Sequence, residues 1–214
     1  MMSGVAVLGV SAVALGMVLT PGPNMMYLVS RSVTQGRRAG LISLGGVAAG
    51  FLCYLIAATV GLSAVFVAVP QAYLGVKLAG ACYLVWLAWR AVRPGGRSVF
   101  APRSLPVDSA SRLFAMGLLT NLLNPKIAIM YLALIPQFVD PVAGRVWLQS
   151  LGLGGVQIAV ALTVNAAIVV AAGSISGLLA RRPRWLRMQR YLTGSVLGGL
   201  AVRLAADRSL PAVG

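Results

Sequence analysis

The 214-residue chain has no histidine and no glutamate, and its only acids are Asp108, Asp140 and Asp207. Without histidine there is no side chain that ordinarily changes charge near neutral pH, and no imidazole ligand for a metal. Without clustered acids or cysteines no metal site can be assembled, and no serine has a base to activate it for hydrolysis. No metal, no cofactor and no enzymatic activity are therefore expected. The two cysteines, Cys53 and Cys82, fall inside apolar runs and form no CxxC pair. Both are expected to be small packing residues. Charge is scarce as well, at 10% of residues, and almost all of it is positive.

What fills the chain instead is apolar. Hydrophobic residues make up 59% of it, and the mean hydropathy is +0.89. A soluble domain of this length has too much surface to be so apolar, so the composition indicates a polytopic membrane protein. A net charge of +15 on a soluble chain would suggest nucleic acid. Here the arginines sit in short gaps between apolar runs, where they set topology and meet anionic lipid, so no nucleic-acid partner is expected. The first nineteen residues lack a basic leader and read as membrane helix rather than signal peptide.

Charged and Pro/Gly punctuation delimits six candidate spans at residues 4–30 (broken), 41–69, 73–89, 113–138 (broken), 146–179 and 191–206. A span needs about 20 residues, so the second and fifth must tilt, kink or protrude. The gaps after spans one, three and five hold thirteen arginines, among them Arg31, Arg37, Arg38 and Arg112, against three (Arg145, Arg203 and Arg208) on the other side. Positive residues stay inside, which places both termini outside the cytoplasm. Trp86, Trp89 and Trp185 then fall near the inner interface, as belt aromatics do.

Two motifs interrupt the apolar runs. Gly22-Pro23-Asn24 follows more than twenty uncharged residues, and Asn124-Pro125-Lys126 lies close to half a chain further on. A proline inside a helix removes a backbone donor at a cost of about 3 kcal/mol, and in lipid no water takes up the freed carbonyl. Each motif lies in the first span of a three-span half, and an odd number of spans inverts the second half relative to the first. The expected architecture is an all-α integral membrane protein of two inverted three-helix repeats, with helices one and four broken at GPN and NPK. It is one transport domain over residues 1–214, with halves at about 1–92 and 112–206 and a basic cytoplasmic linker at about 93–111. Matched breaks of this kind point to a transporter site at the repeat interface.

After each break the helix restarts, with Asn24 or Asn124 able to cap it and Pro125 suited to its first position. The restarted end carries unpaired N–H groups and partial positive charge, which suits a carboxylate. Lys126 is the only cation in the middle of an expected span, a position that marks function by default; its other reading is pairing with helix-end carbonyls or snorkelling. Thr20, Thr120, Asn121, Gln157, Thr163 and Asn165 are further candidates for a polar lining, with Asn165 alternatively serving as interhelical glue. Gly46 and Gly50 read as a close helix contact rather than a ligand site.

The stretches TPGPNMMYLVSRSVTQGRRAG, NPKIAIMYLALIPQFVDP and LTGSVLGGLAVRLA resemble the LysE/RhtB family of amino-acid exporters, in the family's order and over nearly the whole chain. The resemblance implies a bacterial inner-membrane protein that exports amino acids or derivatives, with the proton gradient as energy source. Carried over by position, its motif residues are Pro21, Gly22, Pro23, Asn24, Asn124, Pro125, Lys126 and Asp140. Many relatives place an acid in span two, where this chain reads Gly50-Phe51. Coupling must then fall to Asp140 or Asp108 at a rim, to Lys126, or to the substrate's own protons. The expected partners are a small neutral amino acid or derivative and the bilayer, and glycine-rich faces allow a homodimer. The alternative is an intramembrane thiol-redox or scaffold protein using Cys53 and Cys82.

Overall fold

The computed structural model describes residues 3–68 and 107–179, with shorter pieces at 78–79, 81–86, 88–89, 92–93, 191, 194–195, 198–202 and 204–206. The described residues are helical throughout, joined by short turns. Lipid leaves this choice to an apolar chain, because a helix satisfies its backbone groups internally. α1 (Gly4–Leu19) is capped by Ser3, whose Oγ accepts the Ala6 N–H at 3.1 Å. α2 (Pro23–Gln35) follows at a bend of 55°. α3 (Arg37–Ala68) starts one residue after α2, across Gly36 at φ +87°, a left-handed turn that glycine adopts without strain. α4 (Ala110–Leu122) and α5 (Pro125–Phe138) form a second bent pair at 51°, and α6 (Val146–Leu179) is the next long helix.

α3 and α6 each contain a stretch long and apolar enough to cross a membrane, Arg37–Gly61 and Val146–Ala172, and each bent pair passes the same test as one broken span. The expected third span is described in pieces at 78–79, 81–86 and 88–89 and the sixth at 191, 194–195, 198–202 and 204–206, while Trp185 and the arginines at 181–190 lie outside the described residues. From those spans Ala81, Leu84, Ala201 and Leu204 are described, and all four are buried in the core that also holds Val10, Phe51 and Tyr131.

α3 packs on α4 at backbone contact. A Cβ on Gly46 would lie 2.0 Å from the Phe114 carbonyl oxygen, and one on Gly117 would lie 2.2 Å from that of Ser43. A Cβ on Gly50 would meet the Asn121 side chain at 2.7 Å. The glycines read as a helix contact do serve as one.

α5 departs from a plain helix. Five α-helical residues, Pro125–Ile129, give way to a π turn at Met130–Leu134 and a 3-10 turn at Ile135–Phe138. Pro136 explains the change, since its ring has no N–H and would clash with the carbonyl four residues back; widening the preceding turn relieves that clash. Gln137 Nε2 donates to the Ala133 carbonyl at 2.8 Å, supplying a donor where the ladder shifts. Phe138 then packs into the notch at Gly9 of α1, where a Cβ would come within 2.3 Å of its ring.

Two expectations about loops need correction. Arg31, counted in the gap after the first span, is inside α2 and buried, because the helix restarted by Pro23 runs on to Gln35. Asp108, expected at a rim, is buried against Arg31, with which it forms an ion pair. Cys53 and Cys82 are both free and exposed, so neither is the packing residue expected.

Candidate functional site

The two breaks meet. In a continuous helix the Met17 carbonyl would accept the N–H of residue 21 and the Leu19 carbonyl that of residue 23, but both positions are proline. Lys126, at the start of α5, supplies the missing donor from across the molecule. Its Nζ donates to Met17 O at 2.6 Å and to Thr20 O at 2.8 Å. The ammonium thus sits at the negative end of the α1 dipole and is itself buried. Helix-end pairing, one of the readings open at sequence level, is the arrangement found, and it coexists with a place in a cavity wall.

The second break is handled differently. Pro125 deprives the Asn121 carbonyl of its donor, and the Asn124 N–H takes over at 3.0 Å. The Asn124 side chain caps α5 by accepting the Lys126 N–H at 3.1 Å. That leaves Leu122 O, which accepts the Tyr54 hydroxyl at 2.7 Å. At the first break the cap is Gly22 with Pro23 in the first helical turn, so Asn24 is not the cap expected of it. Gly22 instead leaves room for the lysine, since a Cβ there would meet Lys126 Nζ at 3.1 Å.

Between the breaks lies a cavity of about 30 Å³. Gly22, Asn24, Asn124, Lys126, Gln157 and Asn165 supply its polar wall. Met17, Met25, Phe51 and Met130 supply much of the rest. Both polar atoms of the Asn24 amide, and Nδ2 of Asn124, are buried with no hydrogen-bond partner among the described residues. Buried amides normally find one; the Asn121 amide and the Ser150 hydroxyl, which do not line the cavity, are unpaired among the described residues as well. Gln157 Oε1 accepts the Tyr131 hydroxyl at 2.6 Å, which leaves its NH2 group uncommitted. The Tyr131 ring is stacked on that of Tyr54 with centroids 5.7 Å apart. Asn165 Nδ2 donates to Ala161 O of its own helix at 2.9 Å, not to a neighbouring helix. An ammonium has three protons and two are committed, so one remains for the cavity.

Of the residues singled out from the sequence, the structure brings Gly22, Asn24, Asn124, Lys126, Gln157 and Asn165 together. Pro21, Pro23 and Pro125 shape the wall through the donors they lack. Thr20 contributes only a carbonyl to the lysine, and Thr120, Asn121 and Thr163 do not line the cavity. Asp140 does not reach it either. This residue is exposed in the turn after α5, where its Oδ1 accepts the N–H groups of Val142 at 2.9 Å and Ala143 at 3.3 Å. Gln149 clamps the same turn by donating to Asp140 O and Gly144 O, both at 2.8 Å. Asp140 is thus a turn residue by geometry. Among the described residues no carboxylate lines the cavity. Tyr131 and Tyr54 were missed; a tyrosine inside an apolar run, carrying a hydroxyl that must be satisfied, was the available signal.

A profile of the LysE type translocator family matches residues 15–208. The chain belongs to that family. Relatives cover it almost end to end. A homoserine/homoserine lactone efflux protein of Salmonella typhimurium is 28% identical over 190 residues, 89% of this chain and 91% of the relative. A leucine efflux protein of Klebsiella pneumoniae is 23% identical over 203 residues, 92% of each. A membrane protein of Vibrio cholerae with no assigned activity is 29% identical over 194 residues, 89% of this chain and 92% of the relative. No solved structure matches the chain. As a LysE-type translocator, it is a membrane protein whose relatives include amino-acid efflux transporters.

Proposed function

We propose that this LysE-type translocator is a secondary transporter that exports a small neutral amino acid or a close derivative across the bacterial inner membrane. The observation that carries the reading is the cavity at which both helix breaks converge, with a lysine proton and unpaired amides turned to one volume. The substrate carboxylate is held by the free Lys126 proton and the NH2 groups of Asn24 and Asn124. The substrate amino group is accepted by neutral amide oxygens, Asn24 Oδ1 first. A second positive charge on the substrate would find no carboxylate among the described lining residues, so dibasic solutes are disfavoured. The names of the relatives from Salmonella and Klebsiella agree with this class.

A cavity of about 30 Å³ has room for about two waters, so an amino acid enters only when the helices part. The methionines in the wall suit such repacking, being unbranched and easily rearranged. Two inverted three-helix halves, at about 1–92 and 112–206 around a basic linker, rock about this point in the reading, and the two bends of 55° and 51° support it. The whole chain forms one transport domain with both termini outside the cytoplasm. Export draws on the proton gradient. With Asp140 in a turn and Asp108 ion-paired, Lys126 or the substrate carries the proton.

Expression in a host stripped of its own exporters tests the reading. Cells producing the protein should tolerate a toxic amino-acid analogue, and Lys126→Ala and Pro125→Ala should remove that tolerance. Unchanged tolerance in both variants, at normal membrane levels, refutes the assigned site.

A further inference from the structure

Away from the cavity, a second polar cluster joins the far end of α2 to the start of α4. Tyr27, Arg31 and Gln35 recur every four residues and so share one face of α2. All three reach residues 108–113. The Tyr27 hydroxyl donates to Leu113 O at 2.9 Å, and the Arg31 guanidinium donates to Asp108 Oδ2. Gln35 makes two bonds to the same aspartate, donating Nε2 to Oδ2 and accepting the backbone N–H at Oε1, each at 2.9 Å. Arg112 Nε adds a contact to Oδ1 at 3.2 Å. Ser43 of α3 donates to the Tyr27 oxygen at 3.2 Å, and the Arg31 guanidinium lies 5.5 Å from the Tyr27 ring centre. The Arg31 and Asp108 side chains are 10% and 2% exposed.

Another face of α2 is held differently. Met25 and Val29 form a small apolar cluster with Ala172 of α6. The two attachments have different energetics. Separating apolar surfaces costs free energy in proportion to the area exposed. A buried ion pair gives little net stability, because on opening both charges regain the hydration they had lost. Polar contacts therefore make the α4 side of α2 the side that parts readily. Arg31 lies seven residues beyond Asn24 on the same helix, about 10 Å along its axis. Arg37 and Arg38 begin the next helix and Arg112 flanks the cluster, so the charge bias assigns this end to the cytoplasm.

We propose that Tyr27, Arg31 and Gln35, latched onto residues 108–113, form the cytoplasmic gate of the cavity. Parting of the latch swings α2 from α4 and admits solute from inside the cell, while Phe138 in the Gly9 notch keeps the outer end shut. The inference rests on the transport reading, but its test does not need the substrate to be known.

In a background with Cys53→Ala and Cys82→Ala, Asn24→Cys is reacted with a membrane-impermeant maleimide in inside-out vesicles and in intact spheroplasts. Adding Arg31→Ala or Asp108→Asn should raise the labelling rate about tenfold or more, in inside-out vesicles only. Arg31→Lys, which keeps the charge, should return most of the protection. Arg112→Ala should change little, since that side chain is 67% exposed. Unaltered rates in both gate variants, or an increase from the outer face alone, overturn the proposal. Should a variant fail to accumulate, Gln35→Cys with Ser109→Cys, bridged by a short bifunctional reagent, must stop flux of the toxic analogue reversibly. Full flux through completely bridged protein also overturns it. If the labelling behaves as expected while wild-type protein moves no amino acid or derivative, the gate stands and the assigned substrate class fails.

Discussion

Replacing Lys126 by methionine keeps the stem and removes the ammonium, and the structure sets what should follow. Two charge-assisted hydrogen bonds disappear, to Met17 O at 2.6 Å and Thr20 O at 2.8 Å. Each is worth about 1.5–3 kcal/mol, so the gross loss is about 3–6 kcal/mol. The desolvation cost of the buried ammonium is relieved at the same time, so the net destabilisation should be smaller, about 1–3 kcal/mol. Substrate affinity has no such relief. Loss of the cation that meets a buried carboxylate costs about 2–5 kcal/mol, or roughly 30- to 4000-fold in binding. The two effects are separated by thermal unfolding in detergent and by flux into proteoliposomes. A second substitution isolates the helix-end role. Pro21→Ala frees Thr20 from the extended conformation (ψ 121°) that a following proline favours, so that the helix can rewind and bring an N–H to the Met17 carbonyl; in the Lys126→Met background this should restore about 1 kcal/mol of stability without restoring flux. If Lys126→Met leaves flux within threefold of wild type and the unfolding temperature unchanged, the reasoning about the breaks is wrong.

Further outcomes follow from particular contacts. Gly46→Ala places a methyl 2.0 Å from a backbone oxygen and should cost about 1–3 kcal/mol or more, whereas Gly45→Ala meets nothing closer than 3.7 Å and should be tolerated; unfolding temperatures of the pair check this. The Gln35 amide, helped by Arg31 and Arg112, holds the Asp108 carboxyl below its ordinary value of 3.8 despite burial. A depressed folded-state pKa means that this stabilisation is complete above the ordinary value and is lost as pH falls through the depressed one. Acid unfolding of wild type should therefore steepen below pH 3.8, and Asp108→Asn should flatten that part of the profile. Cys53→Ser with Cys82→Ser should export at the wild-type rate, both thiols being exposed and free; loss of flux would revive the thiol reading.

The parts of the molecule legible in the sequence are those that follow from missing donors and missing side chains. Proline has no N–H, so GPN and NPK had to interrupt their helices. Gly46 and Gly50 have no Cβ, so a close helix contact was readable at their spacing. The place of Lys126 in a cavity wall followed from its depth in an apolar run. What escaped depended on partners remote in the chain. Arg31 looked like a loop arginine because its carboxylate lies 77 residues away. Asp140 looked like a candidate for coupling because acids are so rare, yet its Oδ1 is engaged by the next turn. The unpaired state of Asn24 needed the observation that Gly22 takes the capping position and leaves the amide idle.

The lysine bridge has a consequence for biogenesis. The first helix leaves the ribosome long before its ammonium partner, which is 109 residues further along for Met17. Until α5 arrives, the end of α1 lacks the donor that Lys126 brings to the Met17 and Thr20 carbonyls, a defect that lipid cannot mend. The chain up to α3 should therefore be a poorer resident of the bilayer by itself than in the finished protein. A product truncated before Lys126 should therefore be less stable in the bilayer than the full chain, through the same donor shortage that shapes the finished cavity.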